Sequence, residues 1–157
     1  MQAAETRKSG WLALAAFLAV VIVAGSTIGV LTAPGQWYQA LVKPPLNPPN
    51  AIFAPVWLVL YVFIAVAGWR TWRRDPGGRE FRFWVAQLAL NWLWSPVFFT
   101  FNAAWPAFVV IALIWLLIAL FIAGSRKKDP VAALLFVPYL AWVSFAAYLN
   151  LGVAILN

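Results

Sequence analysis

The chain has 157 residues, of which 65% are hydrophobic and 10% are charged, and its formal net charge is +7. A soluble domain carries about 45–50% apolar and about 25% charged residues, so the composition indicates an integral membrane protein. With no cysteine and no histidine, disulfides, thiolate ligands and the commonest general base near neutral pH are excluded, and we expect no metal site. The cations cluster at the ends of apolar segments, which is typical of membrane helices and argues against nucleic-acid binding.

Five apolar segments are long enough to cross a membrane, since a helix needs about 20 residues to span a ~30 Å hydrocarbon core. The first follows a short polar leader and is too long for the apolar region of a signal peptide. Basic clusters end the second and fourth segments. We therefore predict an all-α integral membrane protein, a five-transmembrane-helix bundle in one domain, with spans at about 11–31, 52–69, 81–102, 106–124 and 131–156.

A proline-rich loop, our name for residues 41–50, joins the first two spans. Pro44, Pro45, Pro48 and Pro49 fix φ and remove backbone donors, so residues 43–50 cannot form a stable helix. These prolines predict an extended, stiff segment of the polyproline kind. Because simple joining needs no such stiffness, the pattern favours a cover that leads directly into a membrane helix.

The distribution of Lys and Arg predicts the orientation. If the N-terminus is cytoplasmic, ten of the eleven cations lie on the cytoplasmic side and only Lys43 lies on the other. Short loops rich in Lys and Arg stay in the cytoplasm. We therefore expect a multi-pass protein of a bacterial membrane, with a cytoplasmic N-terminus and with the proline-rich loop and the C-terminus extracytoplasmic.

Aromatic rings replace charges inside the predicted spans. No span has a charged residue in its middle, which disfavours ion-coupled transport by the usual means. Five of the eleven tryptophans fit an interfacial belt at the membrane boundaries: Trp11, Trp69, Trp72, Trp84 and Trp105. Other residues, many of them aromatic or polar, form stripes on three predicted helices, namely Trp57 and Tyr61, then Asn91, Trp94, Ser95, Phe98 and Asn102, then Pro138, Trp142, Phe145, Ala146, Leu149 and Asn150.

These stripes have two interpretations. They can be packing seams, with Asn91 and Asn150 as interhelical hydrogen-bond partners. Alternatively, Pro96 and Pro138 bend their helices around a cavity. Three stripes facing one another would line a flat aromatic slot that suits a planar conjugated ligand better than a sugar or an ion.

Three motifs resemble the translocator protein family, also called TspO/MBR or tryptophan-rich sensory proteins, in its bacterial form. The first is WYxxLxKPxxxPP followed by PVWxxLY, which covers the proline-rich loop and the start of the second span. The others are AQLALNWLWSPVFF at residues 86–99 and FVPYLAWVSFAAYLN at residues 136–150. Together they cover about half of the chain in the order in which the family has them.

The resemblance implies a five-helix bundle with a ligand pocket under the first loop, an affinity for tetrapyrroles such as protoporphyrin IX and haem precursors, and a homodimer. No cofactor is implied beyond such a porphyrin or haem-type ligand. Trp57 and Trp142 correspond to the pair implicated in light-dependent porphyrin breakdown, and are the candidate catalytic residues. The implied ligand-binding residues are Tyr38, Pro49, Trp57, Tyr61, Asn91, Trp94, Ser95, Phe98, Trp142 and Ala146.

Two departures from the family pattern limit what is carried over. The segment LNLGVAILN lacks the Tyr and Arg of the proposed cholesterol motif, so no cholesterol recognition is expected. With no histidine and no methionine beyond Met1, stacking rather than iron coordination would hold a haem. Three functions stay open: a tetrapyrrole-binding protein acting in sensing, transport or disposal, a photo-oxidative porphyrin-degrading enzyme, and a structural or partner-binding membrane protein.

Overall fold

The structure is a computed structural model that describes residues 2–157, with side chains described from Gly10 onward. Arg7 and Lys8, which enter the charge count above, have side chains outside this described part. No strand occurs in residues 2–157, which confirms the all-α prediction. The elements in chain order are α1 Gln2–Leu31, α2 Gln36–Ala40, a 3-10 helix Asn50–Ile52, α3 Phe53–Arg74, α4 Arg79–Ser95, a π-helix Pro96–Thr100, α5 Ala104–Ser125 and α6 Pro130–Leu156.

Four helical segments in residues 2–157 are long and apolar enough to cross a membrane. They are Gly10–Leu31, Asn50–Arg74, Ala104–Ser125 and Pro130–Leu156. A helix of 22 residues, such as α5, rises about 33 Å and matches a ~30 Å hydrocarbon core. These segments support a multi-pass membrane protein.

The segment predicted as the third span, residues 81–102, corresponds to α4 and the π-helix that follows it. Helix α4 has only 17 residues, which rise about 26 Å. It is also the least apolar of the long helices, because its sequence includes Arg79, Glu80, Gln87 and Asn91. Length and composition alone therefore identify four spans rather than five, and the role of α4 depends on its packing.

The long helices pack in the order α1, α3, α6, α5, α4 around the bundle. Helix α5 packs extensively against α4 and α6, while α3 packs against α1 and α6. Helix α4 makes few contacts with α1 and α3. The bundle is therefore closely packed through α5 and α6 and loosest between α4 and the pair α1 and α3. Five large side chains are completely enclosed in its core: Ile64, Ile118, Phe121, Phe136 and Tyr139.

Trp84 differs from the interfacial tryptophan that the sequence suggests. Its side chain is 6% exposed and its Nε1 donates a hydrogen bond of 2.8 Å to the backbone oxygen of Ile64. A buried indole normally pairs its N–H in this way. Trp84 therefore ties α4 to α3 inside the bundle and does not belong to an interfacial belt.

Two close ion pairs join α3 and α4 to the turn before α6 at the basic end of the bundle, by which we mean the end where α3 and α5 finish and α4 and α6 begin. Arg70, near the end of α3, makes a bidentate contact with Asp129, with Nε–Oδ2 and Nη2–Oδ1 distances of 3.0 and 2.9 Å. Lys128 Nζ donates to Oε1 of the buried Glu80 at 2.9 Å. Asp129 also caps α6 by accepting a hydrogen bond from the backbone N–H of Ala132 at 3.1 Å. The turn before α4 and the turn before α6 therefore lie at one end.

Both carboxylates are held in the ionised form. Burial on its own raises the pKa of Asp129, but hydrogen bonds from Arg70 and Ala132, with the charges of Arg70 and Arg74, more than reverse this and lower it. The hydrogen bond from Lys128 lowers the pKa of Glu80 and outweighs the effect of burial. A carboxyl whose pKa is lower in the folded state stabilises the fold above its unfolded pKa, and this stabilisation is lost as the pH falls through the folded value.

We predict that acid loosens the basic end and that Asp129→Asn reproduces part of this effect at neutral pH. Asparagine still caps α6 but cannot pair with the guanidinium of Arg70. Because Arg70 is partly exposed, we expect a loss of about 1 kcal/mol, or about 2–4 °C in Tm at pH 7. Thermal unfolding in detergent between pH 7 and pH 3 measures both effects. The variant should lose less stability below about pH 4 than the parent, and equal pH dependence in the two would contradict the assignment.

Candidate functional site

A cavity of about 460 Å³ lies between α1, α3, α4 and α6, on the side where the bundle is most loosely packed. We refer to it as the central cavity. The proline-rich loop covers one end of it, where Asn47 and Asn50 contribute to the lining. Nine of the ten residues predicted to bind ligand line this one cavity: Tyr38, Trp57, Tyr61, Asn91, Trp94, Ser95, Phe98, Trp142 and Ala146.

Pro49 is the predicted residue that does not line the central cavity. Its neighbours Asn47 and Asn50 occupy the wall instead. Pro49 precedes the 3-10 helix with extended φ and ψ of −55° and 141°. Pro49 therefore helps to set the direction of the backbone from which Asn47 and Asn50 reach the cavity.

Helices α3 and α6 supply an aromatic wall. The rings of Trp57 and Tyr61, one helical turn apart on α3, have centroids 5.5 Å apart. Trp57 also contacts the buried ring of Tyr139 on α6, with centroids 6.2 Å apart, and Phe53 meets Trp142 edge-on at 5.8 Å. Edge-on and tilted arrangements at these distances are favourable for aromatic pairs. The two candidate catalytic tryptophans, Trp57 and Trp142, therefore lie on adjoining helices and line the same cavity.

The π-helix Pro96–Thr100 shapes the opposite wall. Pro96 lacks the N–H that would bond to the carbonyl one turn earlier, so the regular helix is interrupted there. In the segment that follows, the backbone N–H of Phe101 bonds to Pro96 O at 3.0 Å, which is the i to i+5 pattern of a π-helix. The rings of Trp94 and Phe98 stack across this change, 5.2 Å apart and 15° from parallel. Asn102, with φ of 56°, ends the segment in the left-handed region that asparagine tolerates. The helix is locally widened, and Asn102 leaves its helical stripe.

Hydrogen bonds between side chains fix the polar groups of the wall. Trp94 Nε1 donates to Asn150 Oδ1 at 3.0 Å, and Asn150 Nδ2 donates to the backbone oxygen of Ala104 at 2.8 Å. Asn91 Nδ2 donates to the hydroxyl of Tyr139 at 3.0 Å, which in turn donates to Gln87 Oε1 at 2.8 Å. The two interpretations of the stripes therefore combine, because the same asparagines join helices and line the cavity.

Helix α1 provides a wall that the sequence analysis did not assign. Gly25, Ser26, Ile28 and Gly29 line the cavity. Gly25 is necessary for this packing, since an added Cβ would lie 2.4 Å from the ring of Tyr61. The signal in the sequence was the cluster of small residues at helical spacing, which also occurs where two helices simply pack together.

The chemistry available in the cavity is apolar and neutral. None of its described lining residues is charged, and no group of three His, Cys, Asp or Glu that could hold a metal ion occurs in the described part of the chain. The indole Nε1 atoms of Trp92 and Trp142 are buried and have no hydrogen-bond partner among the described residues. The site can therefore enclose and stack against a flat ligand, but it offers no acid–base pair for ordinary turnover.

Comparisons with known proteins agree with these features. The model of the TspO/MBR family matches residues 14–156. A tryptophan-rich sensory protein of Cereibacter sphaeroides is 37% identical over 147 residues, which cover 94% of this chain and 92% of the relative. The tryptophan-rich protein TspO of Chlorobaculum tepidum is 37% identical over 85% of this chain and 87% of its own. The translocator protein of Ovis aries is 38% identical over 73% of this chain and 71% of its own.

We predict that Asn91, Tyr139 and Gln87 act as one hydrogen-bonded unit. Tyr139→Phe leaves Nδ2 of Asn91 and Oε1 of Gln87 without their partner, and Gln87→Leu leaves the tyrosine hydroxyl without its acceptor. Because hydrogen bonds between membrane helices average about 0.6 kcal/mol, we expect each variant to lose about 1 kcal/mol. Thermal unfolding of the two variants and their double variant in detergent measures the coupling. The double variant should lose clearly less than the sum, and simple additivity would show that the three side chains act independently.

Proposed function

Because the chain belongs to the TspO/MBR family, we propose that it is a membrane protein that binds a tetrapyrrole of the protoporphyrin IX or haem-precursor kind. Sensing, transport or disposal of the bound porphyrin would be its role in a bacterial membrane. The observation that carries this proposal is the uncharged, aromatic lining of the central cavity, in which Trp57, Trp94, Phe98 and Trp142 take part.

The dimensions and chemistry of the cavity support a planar conjugated ligand. Its volume of about 460 Å³ falls within the ~300–1,000 Å³ of small-molecule sites. Aromatic faces bind conjugated rings by stacking. With no histidine or cysteine in the chain, the usual axial ligands of haem iron are missing, so the ring system rather than a metal would provide the binding energy.

We also propose that the bundle crosses the membrane five times. The ion pair of Glu80 with Lys128 places the start of α4 at the basic end, where α3 and α5 finish. Helix α5 is long enough to span the bilayer, and it begins at Ala104, directly after the π-helix. Helix α4 and the π-helix must therefore cover the same height as α5. The polar side chains that α4 directs toward the interior are hydrogen-bonded within the bundle. The helix can therefore lie in the membrane without leaving these polar groups unpaired.

We predict that the proline-rich loop is extracytoplasmic and the basic end cytoplasmic. The basis is the charge bias of ten cations to one. The chain has no cysteine, so single cysteines can be placed at Asn47 and at Gly77 without a background. In intact cells an impermeant thiol reagent should label Asn47→Cys alone, and after permeabilisation it should label both. The reverse pattern before permeabilisation would overturn the orientation.

A second candidate function is light-dependent oxidation of the bound porphyrin. It is favoured by one observation, which is that Trp57 and Trp142 line the same cavity from α3 and α6. An indole in contact with an excited porphyrin gives up an electron to it far more readily than a phenyl ring does, and dissolved dioxygen would be the oxidant that accepts the electrons lost as the porphyrin breaks down. Binding therefore requires only an aromatic ring at Trp57 and Trp142, whereas the photochemistry requires an indole at these positions.

The test compares binding in the dark with porphyrin breakdown in the light on the same preparations. Protoporphyrin IX should quench tryptophan fluorescence saturably, and the absence of saturation would contradict the proposed binding. Trp57→Phe and Trp142→Phe retain most of the stacking surface, so each should lose less than about tenfold in affinity, or ~1.4 kcal/mol. If the second function holds, the double Phe variant still binds but loses the light-dependent bleaching. Bleaching at the parental rate in that variant would exclude the reactive-tryptophan mechanism.

A further inference from the structure

The end of α6 holds the proline-rich loop through three residues, which we call the docking strip: Tyr148, Gly152 and Asn157. None of the three is needed to line the central cavity. The contacts that they make with the proline-rich loop are all with its short segment 42–45. The strip therefore acts on the loop rather than directly on anything inside the cavity.

Asn157 makes the most specific of these contacts. Its Oδ1 accepts a hydrogen bond from the backbone N–H of Val42, and its Nδ2 donates to the backbone oxygen of the same residue, both at 3.0 Å. Nδ2 also donates to the backbone oxygen of Val153 at 2.9 Å, which orients the amide on α6. A side-chain amide thus satisfies both backbone groups of Val42, in the way that a neighbouring strand would.

Gly152 and Tyr148 continue the contact toward the tip of the loop. The Pro44 ring lies so close to Gly152 that an added Cβ would be 2.6 Å from Pro44 Cβ and 2.7 Å from its Cγ. The hydroxyl of Tyr148 donates to the backbone oxygen of Pro45 at 2.9 Å. Only glycine permits this approach without moving the proline ring, so the loop is seated in a notch on the helix.

The strip adds shorter hydrogen bonds to those of the loop itself, which Lys43 and Asn47 make to nearby backbone oxygens at 3.3 to 3.4 Å. Beyond the strip the chain turns at Leu46, whose φ of 68° is unfavourable for a leucine and whose side chain is 80% exposed. Asn47 and Asn50, which cover the cavity, follow directly. On the other side Tyr38 anchors α2 against Phe98 and Phe99. The docking strip therefore fixes the loop between its anchored start and its covering part.

We propose that Tyr148, Gly152 and Asn157 are positioning residues that keep the proline-rich loop closed over the central cavity and so set how often the cavity opens to water. This rests on the proposed function only in treating the cavity as the ligand site. Opening itself is a property of the loop and α6. It can be measured without any ligand.

The experiment uses a cysteine inside the cavity of the full chain in lipid nanodiscs. Ala146 lines the cavity, and Ala146→Cys introduces a single thiol into a chain that has none. A charged methanethiosulfonate reagent cannot pass through lipid, so it reaches this thiol through the loop side. When opening and closing are fast, the labelling rate is proportional to the open fraction.

Each variant of the strip should raise the labelling rate in proportion to the contact removed. Tyr148→Phe removes one exposed hydrogen bond and should accelerate labelling about twofold. Asn157→Ala removes both hydrogen bonds to Val42 and should accelerate labelling about two- to tenfold. Gly152→Ala displaces Pro44 and should give the largest increase, on the order of tenfold. Asn157→Asp keeps an acceptor for the N–H of Val42 but sets a carboxylate oxygen against the carbonyl oxygen of Val42, so it should accelerate labelling at least as much as Asn157→Ala.

Two controls separate loop opening from general loosening of the bundle. Ser125 is fully buried at the basic end, so labelling of Ser125→Cys reports opening of that end and should stay at the parental rate in all strip variants. Gly77→Ala is a glycine replacement with nothing within 4 Å of the new Cβ, and it should leave labelling at Ala146→Cys unchanged.

Parental labelling rates at Ala146→Cys in both Gly152→Ala and Asn157→Ala would overturn the proposal. Equal acceleration at Ser125→Cys would also overturn it, because the strip would then act on the stability of the whole bundle. These outcomes do not depend on porphyrin. A failure of the proposed function appears separately, as the absence of saturable fluorescence quenching in the parent protein.

Discussion

The architecture depends on the hydrogen bonds that attach α4 to its neighbours. Between helices in lipid no hydrophobic force draws a helix into place, so packing and interhelical hydrogen bonds decide its position. Helix α4 carries Trp84, Gln87, Asn91 and Trp94 toward the interior, and each of them is hydrogen-bonded to α3, to α6 or within α4 itself. These bonds join α4 to α3 and α6 at single points, whereas its extensive packing is with α5 and its contacts with α1 and α3 remain few. That unequal packing leaves the cavity.

The aromatic stripes were predictable because they depend on spacing along single helices. Trp57 with Tyr61, and Trp94 with Phe98, lie one turn apart, and a regular or nearly regular helix brings such pairs together wherever it packs. The family motifs then indicated which stripes face one another. The all-α class followed from apolar segments of about 20 residues, since backbone polar groups in lipid must be satisfied internally and a helix of that length does this within one segment.

Other features of the site could not be read from the sequence because they depend on contacts between distant segments. Trp84 has the same local surroundings as an interfacial tryptophan, and only the position of the Ile64 carbonyl shows that it is buried. The wall formed by α1 consists of small residues, which carry no chemical signature. Pro49 and Asn47 are two positions apart in a proline-rich segment, and only the folded loop shows that Asn47 lines the cavity and Pro49 does not.

The two ends of the bundle are held by forces of different kinds. At the basic end, Arg70 with Asp129 and Lys128 with Glu80 are charged contacts that join α3 and α4 to the turn before α6. At the loop end, the neutral amide of Asn157 and the hydroxyl of Tyr148 have the corresponding role. Dissolved ions screen exposed charges but act little on neutral hydrogen bonds. Because the side chains of Arg70 and Lys128 are partly exposed, dissolved salt weakens the contacts at the basic end more than the contacts at the loop end.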